Sequence, residues 1–318
     1  MHNTAVTTEK IPVVVVTGPT ASGKTGLAIS LANLFNSEIV SADSMQIYKG
    51  MDIATAKPTE NEQAMATHHM IDFLDTTSSF SVAQYVNMAN NVISGIVSRE
   101  KLPIIVGGTG LYIDALIYNT QFAEEPDNTQ LRTELSAQYE EIGGVAMLSL
   151  LAEIDSDTSA RLHQNDKKRI IRAFEVYKNT GEKKSDLDKL AVIEPSKYTP
   201  TIIGLRYDDR ELLYSRINSR VDAMLENGLL EEALHERTKI TSNTAVSAIG
   251  HKELLPYFDE EMTLDEAVEN LKRATRRYAK RQMTWFNKNR DINWINCDDK
   301  STQDIVREAQ TIIERNCI

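Results

Sequence analysis

The chain is poor in cysteine. Cys297 and Cys317 are its only two. They make neither a metal-binding pattern nor a disulfide framework, so a reducing, cytoplasmic setting is expected. Long apolar runs are missing too. The longest are VVVV and LPIIV, far short of the roughly 18 residues of a membrane helix. The N-terminal MHNTAVTTEK has no apolar h-region, and no secretory signal is expected. There is no internal repeat and no low-complexity segment. A surplus of positive charge is also absent. With 35 Lys and Arg against 46 Asp and Glu the formal net charge is −11, which argues against indiscriminate nucleic-acid binding. A local basic face remains open, because the field at a surface follows the local distribution of charge. One stretch lacks acids entirely. LKRATRRYAKRQMTWFNKNR, 271–290, carries Lys272, Arg273, Arg276, Arg277, Lys280, Arg281, Lys288 and Arg290. A second basic cluster is DKKRIIR, 166–172.

What is present is a core of ordinary richness. The 318 residues, 41% hydrophobic, suit one large domain or two. Residues 11–16 read as a buried strand that runs into a glycine turn. Leu27, Leu31, Leu34 and Phe35 then mark one face of a helix. EIVSA (38–42) and LPIIVGG (102–108) read as further strands, with a helix over FSVAQYVNMANNVISGIVSRE between them. Strand alternating with helix predicts a parallel sheet with crossover helices, an α/β class of P-loop type. The rhythm stops near residue 119. The segment 120–197 reads as a mainly helical insertion, dividing a core of 11–119 and 198–318. TPTIIGLRY (199–207) resumes the strands, 208–236 and 263–290 read as long helices, and INWIN (292–296) as a last strand.

Three strand ends carry chemistry. TGPTASGKT (17–25) has the G-x-x-x-x-G-K-[ST] spacing of a phosphate-binding loop. Its amides, the helix N-terminus, the Lys24 charge and the Thr25 hydroxyl would hold phosphate and Mg²⁺. SADSMQIY (41–48) puts Asp43 and Ser44 at the carboxyl end of a strand, where ligands bind in open sheets. By spacing alone Asp43 is equally a helix N-cap, a Mg²⁺-side acid or a catalytic base. GGTGLY (107–112) follows the strand IIV. Its glycines would admit a ligand or merely form a turn, and Thr109 can donate one hydrogen bond. The neighbouring His68 and His69 diverge, so local packing is favoured over a shared metal. The basic helix is either a solvated face balanced by acids or the seat of a phosphate-rich partner.

GPTASGKT, SADSMQIY, ATAKP, HHMIDF, GGTGLY, NDKKRIIRAFEV and RRYAKRQMTWF, in this order, resemble the bacterial tRNA dimethylallyltransferases, or tRNA isopentenyltransferases, over about residues 11–290. The zinc finger of eukaryotic relatives is lacking. Ala54 stands where glycine is usual, and Ser247 and His251 where glutamine and tyrosine are common.

The resemblance implies transfer of the prenyl group of dimethylallyl diphosphate to N6 of adenosine 37, in the anticodon stem-loop of tRNAs that read codons starting with U. Diphosphate leaves with help from Mg²⁺. Asp43 matches the proposed base, Thr109 the residue at the reacting end of the diphosphate, and Arg220 an arginine at that diphosphate. Gly18, Pro19, Thr20, Ala21, Ser22, Gly23, Lys24 and Thr25 would cradle it, with Thr25 toward the metal. Asp43, Ser44, Met45, Gln46 and Thr109 match positions near the target base, which must leave its stack. Arg132, Lys167, Lys168, Arg169, Ile170, Ile171, Ser247, Ala248, Ile249, Gly250, His251 and Lys252 match RNA-facing positions, and Arg277 and Arg281 of the basic helix join them. A monomer without membrane contact is expected.

Two other readings compete. A small-molecule P-loop kinase would use ATP, but the strand IIV lacks a terminal Asp. An RNA-binding protein with a relic loop would not need Lys24, Thr25 and Asp43 together.

Overall fold

The computed structural model describes residues 10–120, 128–191, 195–242 and 244–317. Residues 1–9 of the N-terminal stretch, and 121–127 and 192–194 of the expected insertion, lie outside the described residues. Two compact units form. One holds the described residues up to Ile117 and from Ser196 onward, the other those of Tyr118–Pro195.

The first unit starts with β1 (Ile11–Thr17), α1 (Lys24–Leu34), β2 (Glu38–Ser41), α2 (Glu60–Met65), β3 (His68–His69), α3 (Val82–Ser98), β4 (Pro103–Val106) and α4 (Gly110–Ile117). The second contains α5 (Thr129–Ile154), α6 (Ser156–Ser159), α7 (Lys167–Thr180) and α8 (Lys184–Leu190). The first then resumes with β5 (Tyr198–Arg206), α9 (Arg210–Glu226), α10 (Leu229–Glu236), a 3₁₀ turn at Ala245–Ser247, α11 (Leu255–Phe258), α12 (Leu264–Phe286), β6 (Ile292–Asn296) and α13 (Thr302–Cys317).

The six strands form one sheet in the order β3-β2-β4-β1-β5-β6, and every pairing is parallel. A parallel sheet is covered on both faces, so its strands need not alternate. That explains the unbroken VVVV of β1, in which Val13 to Val16 are all fully buried. Val14 and Val16 pack with Leu27, Leu31 and Ile313 on one face, and Val13 and Val15 point to the other. Register brings the chemistry together. Val16 pairs with Val106, and Val106 with Ser41, so β1, β4 and β2 end side by side. The three motifs leave the sheet from adjacent carboxyl ends.

The expected helix over 208–236 is two helices. Gly228 breaks it with φ 98°, a left-handed conformation that favours glycine. The two-residue strand β3 was not read from the sequence; it is too short to show a period. In the second unit Leu131, Leu135, Met147, Leu151, Ile170 and Phe174 form the core. There α5 is interrupted at Gly143, φ 79°. Among the described residues no helix is long and apolar enough to cross a membrane.

Candidate active site

The strand ends open into a cleft of about 1510 Å³ within the first unit. Its floor is the phosphate-loop segment. Gly23 adopts φ 93° with nothing near the missing Cβ, so glycine is required there for the turn and not for space. The loop folds on itself through Ser22 N–H to Pro19 O at 3.3 Å. The Lys24 amine donates to Pro19 O at 2.7 Å. Burial and the nearby Arg220 push the Lys24 pKa down to about 7, against an upward pull from Asp43. Arg220, on α9, donates to Thr20 Oγ1 at 3.3 Å; burial lowers its pKa while Asp43 raises it. The Ser22 hydroxyl is buried without a hydrogen-bond partner. The Arg220 guanidinium, an amine poised to take up a proton and an unpartnered hydroxyl on a loop of this shape are the groups that a phosphate anion could use.

Asp43 stands in the wall of the same cleft. Its Oδ1 accepts the amides of Met45 at 2.9 Å and Gln46 at 3.4 Å. The capping reading therefore holds for one oxygen. The other, Oδ2, makes no side-chain or backbone hydrogen bond among the described residues and is free to serve as a base. Gln46 also lines the cleft, but its amide is spent inside the protein. Nε2 donates to Ala56 O at 3.1 Å and Oε1 accepts from Ser41 Oγ at 3.2 Å.

Thr109 follows the cleft-lining Gly107 and Gly108 and is bonded to the Asp43 side, its amide donating to Ala42 O at 3.2 Å. Its Oγ1 accepts the Ser44 amide at 3.0 Å and donates to Ser44 Oγ at 3.3 Å. The glycines before it line the cleft and are also required by protein packing. A Cβ on Gly107 would lie 2.2 Å from Ala42 O, and one on Gly108 2.1 Å from Gln282 Nε2. Gly110 is likewise closed by Trp285, 2.3 Å from where its Cβ would be.

That contact exposes what the sequence reading missed. The helix α12 was read for its cations, yet its other side chains build the site. Gln282 is buried; its Oε1 accepts Thr20 N–H at 2.8 Å and its Nε2 donates to Gly108 O at 2.9 Å. Trp285 donates its indole N–H to Asp114 at 2.7 Å. Tyr278 and Arg281 line the cleft, with the guanidinium 5.7 Å from the Tyr278 ring. The spacing of 278, 282 and 285 is a one-face helical signal that the surrounding charges masked.

The cations of α12 divide. Lys272 pairs with Asp222 at 2.6 Å, and Arg276 donates to Asn218 at 2.6 Å. Both are tied to α9. Arg273, Arg277, Lys280 and Arg281 are exposed.

Other expected RNA-facing residues also divide. Ser247, Ala248, Ile249 and Gly250 line the cleft. The side chain of His251 does not face outward. It is buried, with Nε2 3.0 Å from Glu232 Oε1, and Glu232 in turn accepts the amides of Asp52, Ile53 and Ala54. His251 thus supports the loop carrying the off-pattern Ala54, while Lys252 is exposed. In the second unit Lys168 and Arg169 are exposed and Lys167 pairs with Glu140 at 2.7 Å. Ile170 and Ile171 are core residues, 0% and 6% exposed, so their side chains cannot meet RNA. Arg132 is ion-paired to the buried Glu175 at 2.6 Å. The two histidines diverge: His69 meets Glu38 at 2.7 Å, and His68 Nδ1 meets Ala66 O at 2.8 Å beside the cleft.

The IPP transferase family model matches residues 46–289. The chain belongs to the IPP transferase family. It is similar to the tRNA dimethylallyltransferase of Caldanaerobacter subterraneus, 45% identical over 94% of this chain and 96% of that one. The tRNA dimethylallyltransferase of Bacillus subtilis is 46% identical over 93% and 92%. Among solved structures, the tRNA isopentenylpyrophosphate transferase of Bacillus halodurans matches with TM-score 0.72 at 40% identity, over 96% of this chain and 97% of that one. A eukaryotic dimethylallyltransferase acting on tRNA matches with TM-score 0.78 at 31% identity, over 96% and 79%.

Proposed function

We propose that this chain transfers the dimethylallyl group of dimethylallyl diphosphate to a tRNA adenine. The acceptor is N6 of adenosine 37, beside the anticodon, in tRNAs that read codons starting with U. The observation carrying the reading is one cleft that holds a carboxylate oxygen, Asp43 Oδ2, beside an anion floor of Lys24, Arg220 and the orphaned Ser22 hydroxyl. Membership of the family supports the substrates.

In the step, the N6 lone pair forms a bond to the terminal prenyl carbon as the bond from that carbon to the diphosphate oxygen breaks. The bonding electrons leave with diphosphate, and the amine proton passes to Asp43 Oδ2. An exocyclic amine is a poor nucleophile, and general-base help of this kind is worth about 10²–10⁴-fold. Lys24, Arg220, the loop amides and Thr109 meet the charge that gathers on the leaving group, where preorganised donors act most strongly.

Mg²⁺ fits as an ion borne by the diphosphate. Thr25 lines the cleft in the first turn of α1, and among the described residues no group of three His, Cys, Asp or Glu could hold a metal. Thr25 would supply one ligand, with phosphate oxygens and water the rest. Bound there, the ion would neutralise charge on the departing diphosphate.

The test is incubation with labelled dimethylallyl diphosphate, and in parallel with labelled ATP, with and without tRNA. The expected result is label in RNA, on one adenosine, with diphosphate released in equal amount. ADP formed in proportion to turnover, with no prenyl label in RNA, would replace this reading with a kinase.

A further inference from the structure

Glu232, on α10, takes no part in the chemistry above, yet its carboxylate gathers four donors. Oε2 accepts the amides of Asp52 at 2.8 Å and Ile53 at 2.6 Å. Oε1 accepts the amide of Ala54 at 3.0 Å and faces His251 Nε2 at 3.0 Å. Only 9% of the Glu232 side chain is exposed. Burial alone would raise its pKa, but the bonds from His251 and the three amides outweigh it and hold the pKa below its ordinary value. An ionised carboxylate only accepts, so His251 Nε2 carries the hydrogen and donates. The other ring nitrogen, Nδ1, is buried without a partner. The one side-chain hydrogen bond of His251 is therefore spent on Glu232.

This carboxylate ties together two loops that line the same cleft, 52–58 and 247–250. The loops also touch. Gly250 has φ 110°, and a Cβ built there would lie 2.8 Å from Ala54 Cβ, so glycine serves both the turn and the close approach. From the first loop the bonding continues to the reacting carboxylate. Gln46 Nε2 donates to Ala56 O at 3.1 Å and Thr55 O at 3.4 Å. The Gln46 amide reaches Asp43 Oδ1 at 3.4 Å. Among the described residues no hydrogen bond of Glu232, His251 or Gln46 ends on the phosphate loop, 17–25.

We propose that Glu232 is a positioning residue: with His251 it joins loops 52–56 and 247–250 into one wall that receives the adenine and fixes the reach of Asp43, and it leaves the diphosphate floor untouched. The inference rests on the prenyl-transfer reading of the cleft.

The experiment compares Glu232→Gln, His251→Phe and His251→Gln with wild type. Single-turnover prenyl transfer is followed over a range of anticodon stem-loop concentrations, beside calorimetric affinities for pyrophosphate and stem-loop, and cooperative melting checks each fold. Glu232→Gln keeps the length of the side chain, but a carboxamide has one accepting oxygen, so an amide of 52–54 loses its partner. It is expected to slow transfer at saturating RNA about tenfold and to weaken stem-loop affinity about threefold, with pyrophosphate affinity changed less than about twofold. His251→Phe removes only the ring donor and should slow transfer about fivefold. His251→Gln returns an N–H donor and should stay within about twofold of wild type.

Unchanged transfer in Glu232→Gln overturns the proposal. Equal losses in the two His251 variants also overturn it, the result a histidine that only fills space would give. So does a pyrophosphate affinity that falls with the rate, the mark of a general loosening of the cleft. Should Glu232→Gln fail to fold, the two His251 variants decide. If wild type puts no prenyl label into RNA, the prenyl-transfer reading fails. The affinities of the variants then decide the wall separately: a loss confined to the stem-loop supports it, and a loss shared with pyrophosphate, or no loss, removes it.

Discussion

Gln282 Oε1 accepts the backbone N–H of Thr20 at 2.8 Å, across 262 residues of sequence. The carboxyl-terminal part of α12 is therefore hydrogen-bonded to the phosphate loop. Replacing Gln282 by Leu would leave the Thr20 amide and Gly108 oxygen unpaired in a buried place. Each such orphan costs on the order of 1–3 kcal/mol. Gln282→Leu is expected to lower the urea midpoint and weaken pyrophosphate binding together. A variant with wild-type stability and wild-type pyrophosphate affinity would show that the bond is dispensable.

Asp43→Asn keeps an oxygen for the Met45 and Gln46 amides but cannot take up a proton. Its single-turnover transfer rate should fall by about 10²-fold or more, with RNA affinity kept. A near-wild-type rate would reduce Asp43 to its capping role.

Much of this site was legible in the sequence, and the reason is local. A β-branched run before G-x-x-x-x-G-K-T fixes strand, loop and helix within a few neighbouring residues. The glycines at 107 and 108 were visible but their purpose was not, since Ala42 and Gln282 close over them only in the folded chain. Ile170 and Ile171 matched an RNA-facing motif, yet with 3.6 residues per turn neighbouring positions of α7 share its inward face, and these two are core. Gln282 lay hidden among arginines, because charge dominates composition while its hydrogen-bond partners far along the chain, Thr20 and Gly108, leave no trace in it.

The lowered pKa of Lys24 gives a pH prediction. Between about 7 and the ordinary 10.5 the unfolded chain holds a proton on Lys24 that the folded chain has released. Stability of the ligand-free protein should therefore rise with pH across that window, by the share this group contributes. Below about 7 the amine is charged in both states and its burial cost is fully present. Urea midpoints at pH 7, 8 and 9 should climb more for wild type than for Lys24→Met. Pyrophosphate should have the opposite effect, drawing a proton onto Lys24, so calorimetry at pH 8 in two buffers should report proton uptake on binding. Parallel midpoints for both proteins, with no proton uptake, would contradict it.

The division of cations on α12 predicts a selective salt response. Exposed Arg277 and Arg281 can reach phosphate, and each contact contributes roughly 0.7–0.9 to the log–log slope of affinity against salt. Replacing both by Ala should flatten that slope by up to about 2 and affect different tRNAs alike. Replacing Lys272, already paired with Asp222, should leave the slope unchanged. Equal slopes for wild type and the double variant would place the arginines outside the RNA footprint.

The indole of Trp285 lies against Gly110, next to Thr109, and donates to the Asp114 carboxylate. The chain has one other tryptophan, Trp294, on β6. Trp294→Phe thus leaves a single tryptophan, selectively excited at the red edge of protein absorption, next to the strand end whose Gly107 and Gly108 line the cleft, and quenched or shifted by whatever disturbs its carboxylate neighbour. The fold comes with its own optical probe, and occupancy of the phosphate floor can be followed in real time without attaching a dye.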